Sequence, residues 1–418
     1  MAQREVDLVI AEAAELLTID GPDGPRVGAA QAQLGPISPG SVAVHRGKIL
    51  AVGEPREIDR AFRGRRTIDA RGRVVTPGLV DPHTHPVFAN YRDREFELRI
   101  QGVSYQEIAR QGGGINASAR ALRATPQADV ERFVARHLGR MLSLGTTTID
   151  AKSGYGLSLD SELMSLRAIR RLGKAQPLEL VPTFMGAHAV PEEFRDRRSA
   201  YVRLVAEEMI PQVARAGLAE FCDVFCDEGA FTPAETALIL RRARSAGLRP
   251  KLHADEFTDT GGAALAARLG AISADHLLRV SDAGVRALAR RGVIAVLLPG
   301  TALTLGVPAY APARRLIAAG VPVALATDFN PGSCFTESMQ IVLALACMQM
   351  KMTPAEAIVA ATINAAGAVN RAGRLGSLRP GKQADLVVWD APGHRHLAYH
   401  FGVNLAHLVI KNGLVVSG

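Results

Sequence analysis

The stretch TPGLVDPHTHPVFANYRD, residues 76–93, runs from small and apolar residues straight into Asp81-Pro82-His83-Thr84-His85 and meets an arginine at position 92. Histidine is scarce, 11 among 418 residues, so two of them flanking one threonine at the end of an apolar run need a physical reason. Along a β-strand, residues i and i+2 face the same side. His83 and His85 therefore share one face, and Thr84 takes the other. A buried strand that ends in two co-facing imidazoles is suited to holding one ion at its C-terminal end.

Working outward, further buried-type strands alternate with amphipathic helices. In order, the strand candidates are VVTPGLVDPHTH, TTTID, LELVPTFMGAH, EFCDVFCDEG, RPKLHADEF, AISADHLL, GVIAVLLP and VPVALATDFN. Residues 125–144 show what lies between them: Thr125 suits a helix N-cap, Pro126 the first helical position, and Val130, Phe133, Val134, Met141 and Leu142 recur at helical spacing. Eight such pairs predict an α/β protein, a (β/α)8 TIM-like barrel over residues 74–373. Both ends of the chain read instead as hairpin pieces, SVAVHRGKILAVG and RTIDARGRVVTPG on one side, ADLVVWD and LVIKNGLVVSG on the other. Residues 1–73 and 374–418 are thus expected to form one small β domain into which the barrel is inserted. The glycine run in QGGGINAS lacks the Gly-Lys-Ser/Thr that completes a phosphate loop, and reads as a flexible loop near the barrel mouth.

Composition narrows the function. A chain of 418 residues, 48% apolar and 22% charged, is long enough for a large core. The net charge of +8 comes from arginines scattered along the chain, with no basic block and no aromatic interleaving, which argues against a nucleic-acid partner and for an anionic small-molecule substrate. The four cysteines, Cys222, Cys226, Cys334 and Cys347, match neither a zinc ribbon nor a disulfide scaffold, so a reduced, cytoplasmic setting is expected. The N-terminal residues lack a signal-peptide core, and no apolar run approaches the length of a membrane span. Cys222 and Cys226 have the same strand parity and read as small core residues; His394, His396, His400 and His407 read as structural or interface residues, and His45, in a strand of the small domain, and His137, in a helix, carry no assigned function.

Barrel enzymes carry their sites at the C-terminal ends of the strands. His83 and His85 end the first strand candidate, His188 the third, His253 the fifth, His276 the sixth and Asp328 the eighth. A lone histidine at a strand end reads as a hydrogen-bonded structural residue, but five with an aspartate at one rim read as a metal site. His253 and Asp328 can complete the shell begun by His83 and His85 while leaving a position for water, and imidazole with carboxylate suits one Zn2+ or one iron ion, Fe2+ or Fe3+. Asp328, facing the water, or His276, close by and outside the shell, can take its proton.

TPGLVDPHTH resembles the signature of the amidohydrolase superfamily, and GSLRPGKQADLVVWD resembles the stretch that leads such chains back into their sandwich. The resemblance implies a barrel in which metal-activated water hydrolyses an amide or amine bond, flanked by a small β-sandwich domain, here formed from residues 1–73 and 374–418. Many binuclear members carry a carbamylated lysine on the fourth strand; EFCDVFCDEG has none, and Lys152, after the second strand, is expected to be poorly placed to bridge two ions, so one metal is expected. Within the superfamily the chain is similar to the imidazolonepropionase family, whose members open 4-imidazolone-5-propanoate to N-formimidoyl-L-glutamate in histidine degradation. HPVFANYRDREFELR, GGGI, KSGYGL, FMGAHAVP, FCDVFCDEGAF, HADEF, GAISADHL, ATDFNPGS and LAYHFGVN carry that likeness over nearly the whole length. It implies metal ligands His83, His85, His253 and Asp328, with Arg92, Tyr155, His188, Asn330, Gly332 and Ser333 around the substrate, and a homodimer. Glu256 is expected to bond a ring N–H or to act catalytically; the bland reading is a rim carboxylate paired with an arginine. By itself Arg92 reads as one more surface arginine, and the resemblance makes it the anchor of a substrate carboxylate, which its planar fork suits. Two rivals keep parts of this picture: another cyclic-amide hydrolase or a purine or pyrimidine aminohydrolase, with a different pocket, and a non-catalytic scaffold, which would lack the ligands.

Overall fold

The computed structural model describes residues 3–418. At its centre lie eight parallel strands, here numbered in chain order: β1 (Leu79–Thr84), β2 (Thr146–Lys152), β3 (Glu179–Ala187), β4 (Phe221–Cys226), β5 (Arg249–Ala254), β6 (Ser273–His276), β7 (Ile294–Leu297) and β8 (Val323–Leu325). Each pairs with the next in sequence, from β1 through β8. The ring closes between the first and last: Thr84 bridges Phe329 in parallel, Asp328 N–H donates to the His83 carbonyl at 3.1 Å, and His85 N–H donates to the Phe329 carbonyl at 2.8 Å. The residues that shut the barrel are thus neighbours of, or identical with, the candidate ligands. Helices such as Gln127–Ser143, Leu159–Ala175 and Pro233–Ser245 cover the outside, burying Val134, Leu166, Ile239 and their neighbours against the strands.

The two ends of the chain form a second body of two sheets. One has Lys48–Gly53, Gly40–His45, Arg4–Ala13 and Phe62–Asp69 side by side; the other has Leu414–Ser417, Ala406–Lys411, Leu386–Trp389, Val74–Pro77, Glu15–Leu17 and Pro36–Ile37. Leu8, Ile10, Val42 and Val44 of the first sheet pack on Val75, Leu386, Val388 and Ile410 of the second, the alternation a sandwich requires. Trp389, fully buried, joins this body to the barrel: its Nε1 donates to Thr76 Oγ1 at 2.9 Å, and its ring lies where a Cβ on Gly145 would stand, 2.7 Å away.

Three local expectations are corrected. VVTPGLVDPHTH is two strands rather than one: Val74–Pro77 pairs with Leu386–Trp389 in the terminal sheet, and β1 begins at Leu79. Gly78 between them is required because a Cβ there would collide with the Thr147 side chain. The run after Gln111 is largely helical, since Gly114–Ala124 is a helix whose first residue takes φ +72 in the left-handed region that glycine tolerates. Finally, Thr125 ends that helix, with its hydroxyl on the Ala121 carbonyl, and Pro126 is the N-cap of the next one.

Inward-facing positions below the barrel mouth are charged where a barrel of this kind is commonly filled with branched apolar side chains. Asp150 and Lys152 of β2, Asp223 of β4, Lys251 of β5 and Asp275 of β6 are all fully buried. Lys152 ends β2 inside the strand, and its Nζ lies 2.7 Å from Asp150 and 2.8 Å from Asp223; Lys251 Nζ lies 2.6 Å from Asp150.

Candidate metal centre and substrate pocket

Strand parity carries His83 and His85 to one side as expected, and ring nitrogens of three histidines meet a carboxylate oxygen of Asp328 above the charged layer. His83 Nε2 and His85 Nε2 are 3.2 Å apart, His253 Nε2 is 3.3 Å from His85 Nε2, and Asp328 Oδ1 is 3.5 Å from His83 Nε2 and 3.6 Å from His85 Nε2. Donors about 2.0–2.1 Å from one tetrahedral ion stand about 3.3–3.4 Å from one another. These separations are near that edge: His83, His85 and Asp328 bring donor atoms within 4.8 Å of one another, a set that suits one ion, and His253 adjoins it through His85.

The far sides of two rings fix their tautomers. His83 Nδ1 lies 2.6 Å from Asp275 Oδ2, and His253 Nδ1 lies 3.1 Å from Asp223 Oδ1. A carboxylate oxygen only accepts, so each Nδ1 carries the proton and each Nε2 turns a lone pair to the centre. Burial, followed by neighbouring positive groups, holds His83, His85 and His276 well below the ordinary imidazole range, while burial pushes Asp328 up to about 6. Converging neutral lone pairs repel one another unless a cation sits between them.

The layer beneath supplies the compensating charge. Burial opposes the charge of Lys152, but Asp150, Asp223 and Asp275 outweigh it and hold the ammonium above its usual value. Asp223 is likewise opposed by burial and held well below its usual value by His253 and Lys152. Lys152 does not bridge two ions; it is the cation that anchors the carboxylate behind His253. Asp223, Asp275, Asp150 and Lys251 escaped the sequence reading. Their signal was parity: Asp150 stands two residues from Lys152 and Lys251 two residues from His253, each pair on one face of its strand.

His276 stands apart from the four-donor set yet within reach of it: a nitrogen of His276, one of His83 and one of His253 lie within 4.8 Å of one another. Neither of its ring nitrogens has a hydrogen-bond partner among the described residues, and Nδ1 is 3.5 Å from Glu256 Oε1. Its backbone sits at φ +76, and Asp328 sits at φ +56. For non-glycine residues such conformations cost on the order of 1–3 kcal/mol each and persist where the surroundings over-determine them.

One cavity gathers most of the remaining candidates. Arg92, Tyr155, His188, Glu256, Asn330 and Ser333 line it together with His85, His253, His276 and Asp328, and Ile115, Phe225, Phe257 and Leu305 supply apolar wall. His83 lies beneath the lining. Gly332 is not on it either: it backs Arg92, and a Cβ there would collide with the guanidinium. Arg92 is buried, at 5% exposure, so the surface-arginine reading is excluded; its Nε and Nη2 lie 2.9 and 2.6 Å from Glu95 Oε2. His188 stacks on His85 with ring centroids 4.9 Å apart, its Nδ1 is 3.0 Å from the Gly154 carbonyl, and burial pulls its pKa down to about 3. Glu256 is held well above its usual value by burial, then by the charges of Asp328 and Asp227. The Glu256 loop is in turn held by Asp227, whose carboxylate accepts the N–H groups of Glu256, Phe257 and Thr258 at 2.8, 2.9 and 3.1 Å. Asn330 braces the loop after β8: its Oδ1 accepts from Gly332 and Ser333 N–H at 2.8 and 2.7 Å, and its Nδ2 donates to the Asp328 carbonyl at 2.7 Å.

Comparison with known proteins places this geometry. A model described as the amidohydrolase family matches residues 74–416. A protein named imidazolonepropionase from Geobacillus kaustophilus strain HTA426 is 51% identical over 414 residues, covering 98% of this chain and 97% of its own. Another so named, from Alkaliphilus metalliredigens strain QYMF, is 46% identical over 413 residues, covering 98% of each. Among solved structures, a triazine hydrolase variant superposes with a TM-score of 0.78 at 18% identity over 98% of this chain and 94% of that one. An adenosine deaminase from Xanthomonas campestris with bound zinc gives 0.73 at 21% identity over 99% and 93%. At those identities the likeness to the solved structures is one of fold.

Proposed function

The chain belongs to the amidohydrolase family, and we propose that its reaction is the hydrolytic ring opening of 4-imidazolone-5-propanoate to N-formimidoyl-L-glutamate. It is a hydrolase of a cyclic amide carbon–nitrogen bond, acting in histidine degradation. The observation that carries the pocket reading is that Arg92, Tyr155 and His188 line the same cavity as His85, His253, Glu256, His276 and Asp328. An anionic tail and a ring carbonyl are thereby met in one space.

His83, His85, His253 and Asp328 would hold one ion, and three imidazoles with a carboxylate suit Zn2+, Fe2+ or Fe3+. When bound, such an ion lowers the pKa of water toward neutrality and polarises a carbonyl. The protein's own residues do the rest. Arg92 pairs with the propanoate through parallel hydrogen bonds, and Tyr155 donates to the same end of the substrate. With Nδ1–H on the Gly154 carbonyl, His188 presents Nε2 as an acceptor for a ring N–H. Glu256, which burial favours in its protonated form, can donate to the ring. Ser333 and Asn330 hold the loop that closes the pocket beside Asp328, and Gly332 leaves room for Arg92.

The proton of the attacking water goes to His276. Its ring is held toward the neutral form, and neither nitrogen has a hydrogen-bond partner among the described residues, whereas Asp328 Oδ2 already accepts the Thr301 hydroxyl at 2.6 Å. That difference favours His276 as general base, with Asp328 as ligand. The water oxygen bonds to the ring carbonyl carbon; the tetrahedral intermediate collapses, the carbon–nitrogen bond breaks, and His276 returns the proton to the departing nitrogen.

Turnover of 4-imidazolone-5-propanoate, hydantoin, dihydroorotate and guanine by metal-loaded protein tests the reading. Preference for the first supports it; no turnover of the first alongside turnover of another would replace it with a different ring hydrolase or an aminohydrolase. We also propose that the protein works as a cytoplasmic homodimer. The four cysteines are free thiols, Tyr399, Phe401 and Val403 are exposed apolar side chains close in sequence, and no helix among the described residues is long and apolar enough to cross a membrane. A monomer by light scattering at micromolar concentration would remove the dimer.

A further inference from the structure

We infer that Glu162 is a positioning residue that places Tyr155 in the pocket by holding the backbone on both sides of it. The inference rests on the reading of Tyr155 as a substrate-holding residue. Glu162 lies in the helix Leu159–Ala175, fully buried and away from the cavity lining. Its Oε2 accepts the Gly154 N–H at 3.1 Å, and its Oε1 accepts the Gly156 and Leu157 N–H groups at 2.8 and 2.9 Å. The residues flanking Tyr155 on each side are therefore tied to one carboxylate.

The loop needs such a tie. Gly154 sits at φ +110 and Leu157 at φ +52, so a side-chain-bearing residue is held in the left-handed region that it avoids when free. The backbone is also threaded closely: a Cβ on Gly156 would stand 2.7 Å from the Glu162 nitrogen, and one on Gly154 would stand 3.0 Å from the Met185 carbonyl. From the other side, the Gly154 carbonyl takes the His188 Nδ1–H at 3.0 Å. Tyr155 is thus carried by a loop clamped between a carboxylate and an imidazole, with its ring 5.2 Å from that of His188 and 6.0 Å from that of His85.

A packing role alone does not account for a carboxylate here. Burial raises the Glu162 pKa, and the groups offsetting this are the Ser153 hydroxyl and the N–H groups of Leu157, Gly156 and Gly154, all from the loop itself. A buried carboxylate is unfavourable without such donors, and an apolar side chain would fill the helix–barrel contact without that burden. What only the carboxylate supplies is two acceptor oxygens aimed at three N–H groups.

The test is Glu162→Gln, whose amide accepts through one atom and turns an N–H2 toward donors. KM for 4-imidazolone-5-propanoate should rise by about tenfold to a hundredfold, the loss of a charge-assisted bond, with metal content retained and kcat changed by less than about threefold. The decisive reading is a double-mutant cycle with Tyr155→Phe: once the phenol hydroxyl is gone, Glu162→Gln should add less than about threefold to KM. Additive effects, or a fall in melting temperature with KM unchanged, would overturn the inference. Tyr155→Phe with an unaltered KM would instead remove Tyr155 from the site, and the role of Glu162 with it. Should Glu162→Gln fail to fold, Ser153→Ala removes one donor to the same carboxylate. It should raise KM by about threefold to tenfold with the same dependence on Tyr155, and additivity there would be equally fatal.

Discussion

Replacing Asp223 by asparagine preserves shape and removes a charge, and the surrounding atoms dictate how the amide must sit. Lys152 Nζ, which only donates, lies 2.8 Å from Asp223 Oδ2, so the amide oxygen settles there and the N–H2 takes the place of Oδ1, 3.1 Å from His253 Nδ1. His253 Nδ1 must then accept, which puts the ring proton on Nε2, the atom 3.3 Å from His85 Nε2 that faces the centre. The lone pair needed by an ion is lost from one of four donors. Outer carboxylates of this kind are worth about 10–100-fold in metal affinity, or about 1.4–2.7 kcal/mol, and the forced tautomer places Asp223→Asn toward the upper end. Lys152 keeps Asp150 at 2.7 Å, so folding should survive, which a melting curve of the metal-free protein checks. Titration of metal-free protein with Zn2+ against a chromophoric chelator gives the affinity. A value within about twofold of the parent would refute the tautomer reasoning, and with it the assignment of His253 Nε2 as a ligand.

Other expectations concern the pocket and its acidity. Arg92→Ala should raise KM by about a hundredfold or more with metal retained, since two charge-assisted bonds to the propanoate go; an unchanged KM would remove Arg92 from the site. His276→Ala should lower kcat by a factor on the order of a hundred to ten thousand with little change in bound metal, and loss of the metal would make His276 a ligand instead. Because burial holds the His83, His85 and His276 rings well below the usual imidazole range, protons do not compete for those nitrogens in mild acid; among these four groups Asp328, pushed up to about 6, is the one that does. Metal affinity should therefore fall by about tenfold per unit as the pH drops below about 6 and Asp328 protonates. A steeper loss beginning near neutrality would indicate ordinary imidazoles.

What could be read from the chain depended on periodicity. The i, i+2 spacing of His83 and His85, and the position of each candidate at a strand end, are properties of local geometry, and the donors do meet at 3.2–3.6 Å. The charged layer could not be found by looking for apolar strands, because Asp150, Lys152, Asp223, Lys251 and Asp275 are stabilised by one another across four strands and by partners such as His83 and His253 that lie far off in sequence. Glu95 and Glu162 were equally silent: each acts on a loop, and a helix-borne glutamate whose acceptors face inward looks like any solvated one in sequence. The helix at Gly114 was hidden by the opposite effect, three glycines that suggest freedom where two of them, Gly112 and Gly114, hold positive φ angles. Likewise, nothing in VVTPGLVDPHTH announces that the chain changes sheets at Gly78; the close approach of Thr147 does.

The central claim is that water attacks the ring carbonyl carbon and breaks the adjacent carbon–nitrogen bond in a pocket that also holds a carboxylate. Turnover of 4-imidazolone-5-propanoate in heavy-oxygen water, followed by mass spectrometry of the product, tests it most directly. The account predicts N-formimidoyl-L-glutamate carrying one heavy oxygen in its newly formed carboxylate. Label at the one-carbon fragment between the ring nitrogens, or no turnover by metal-loaded protein, would contradict it.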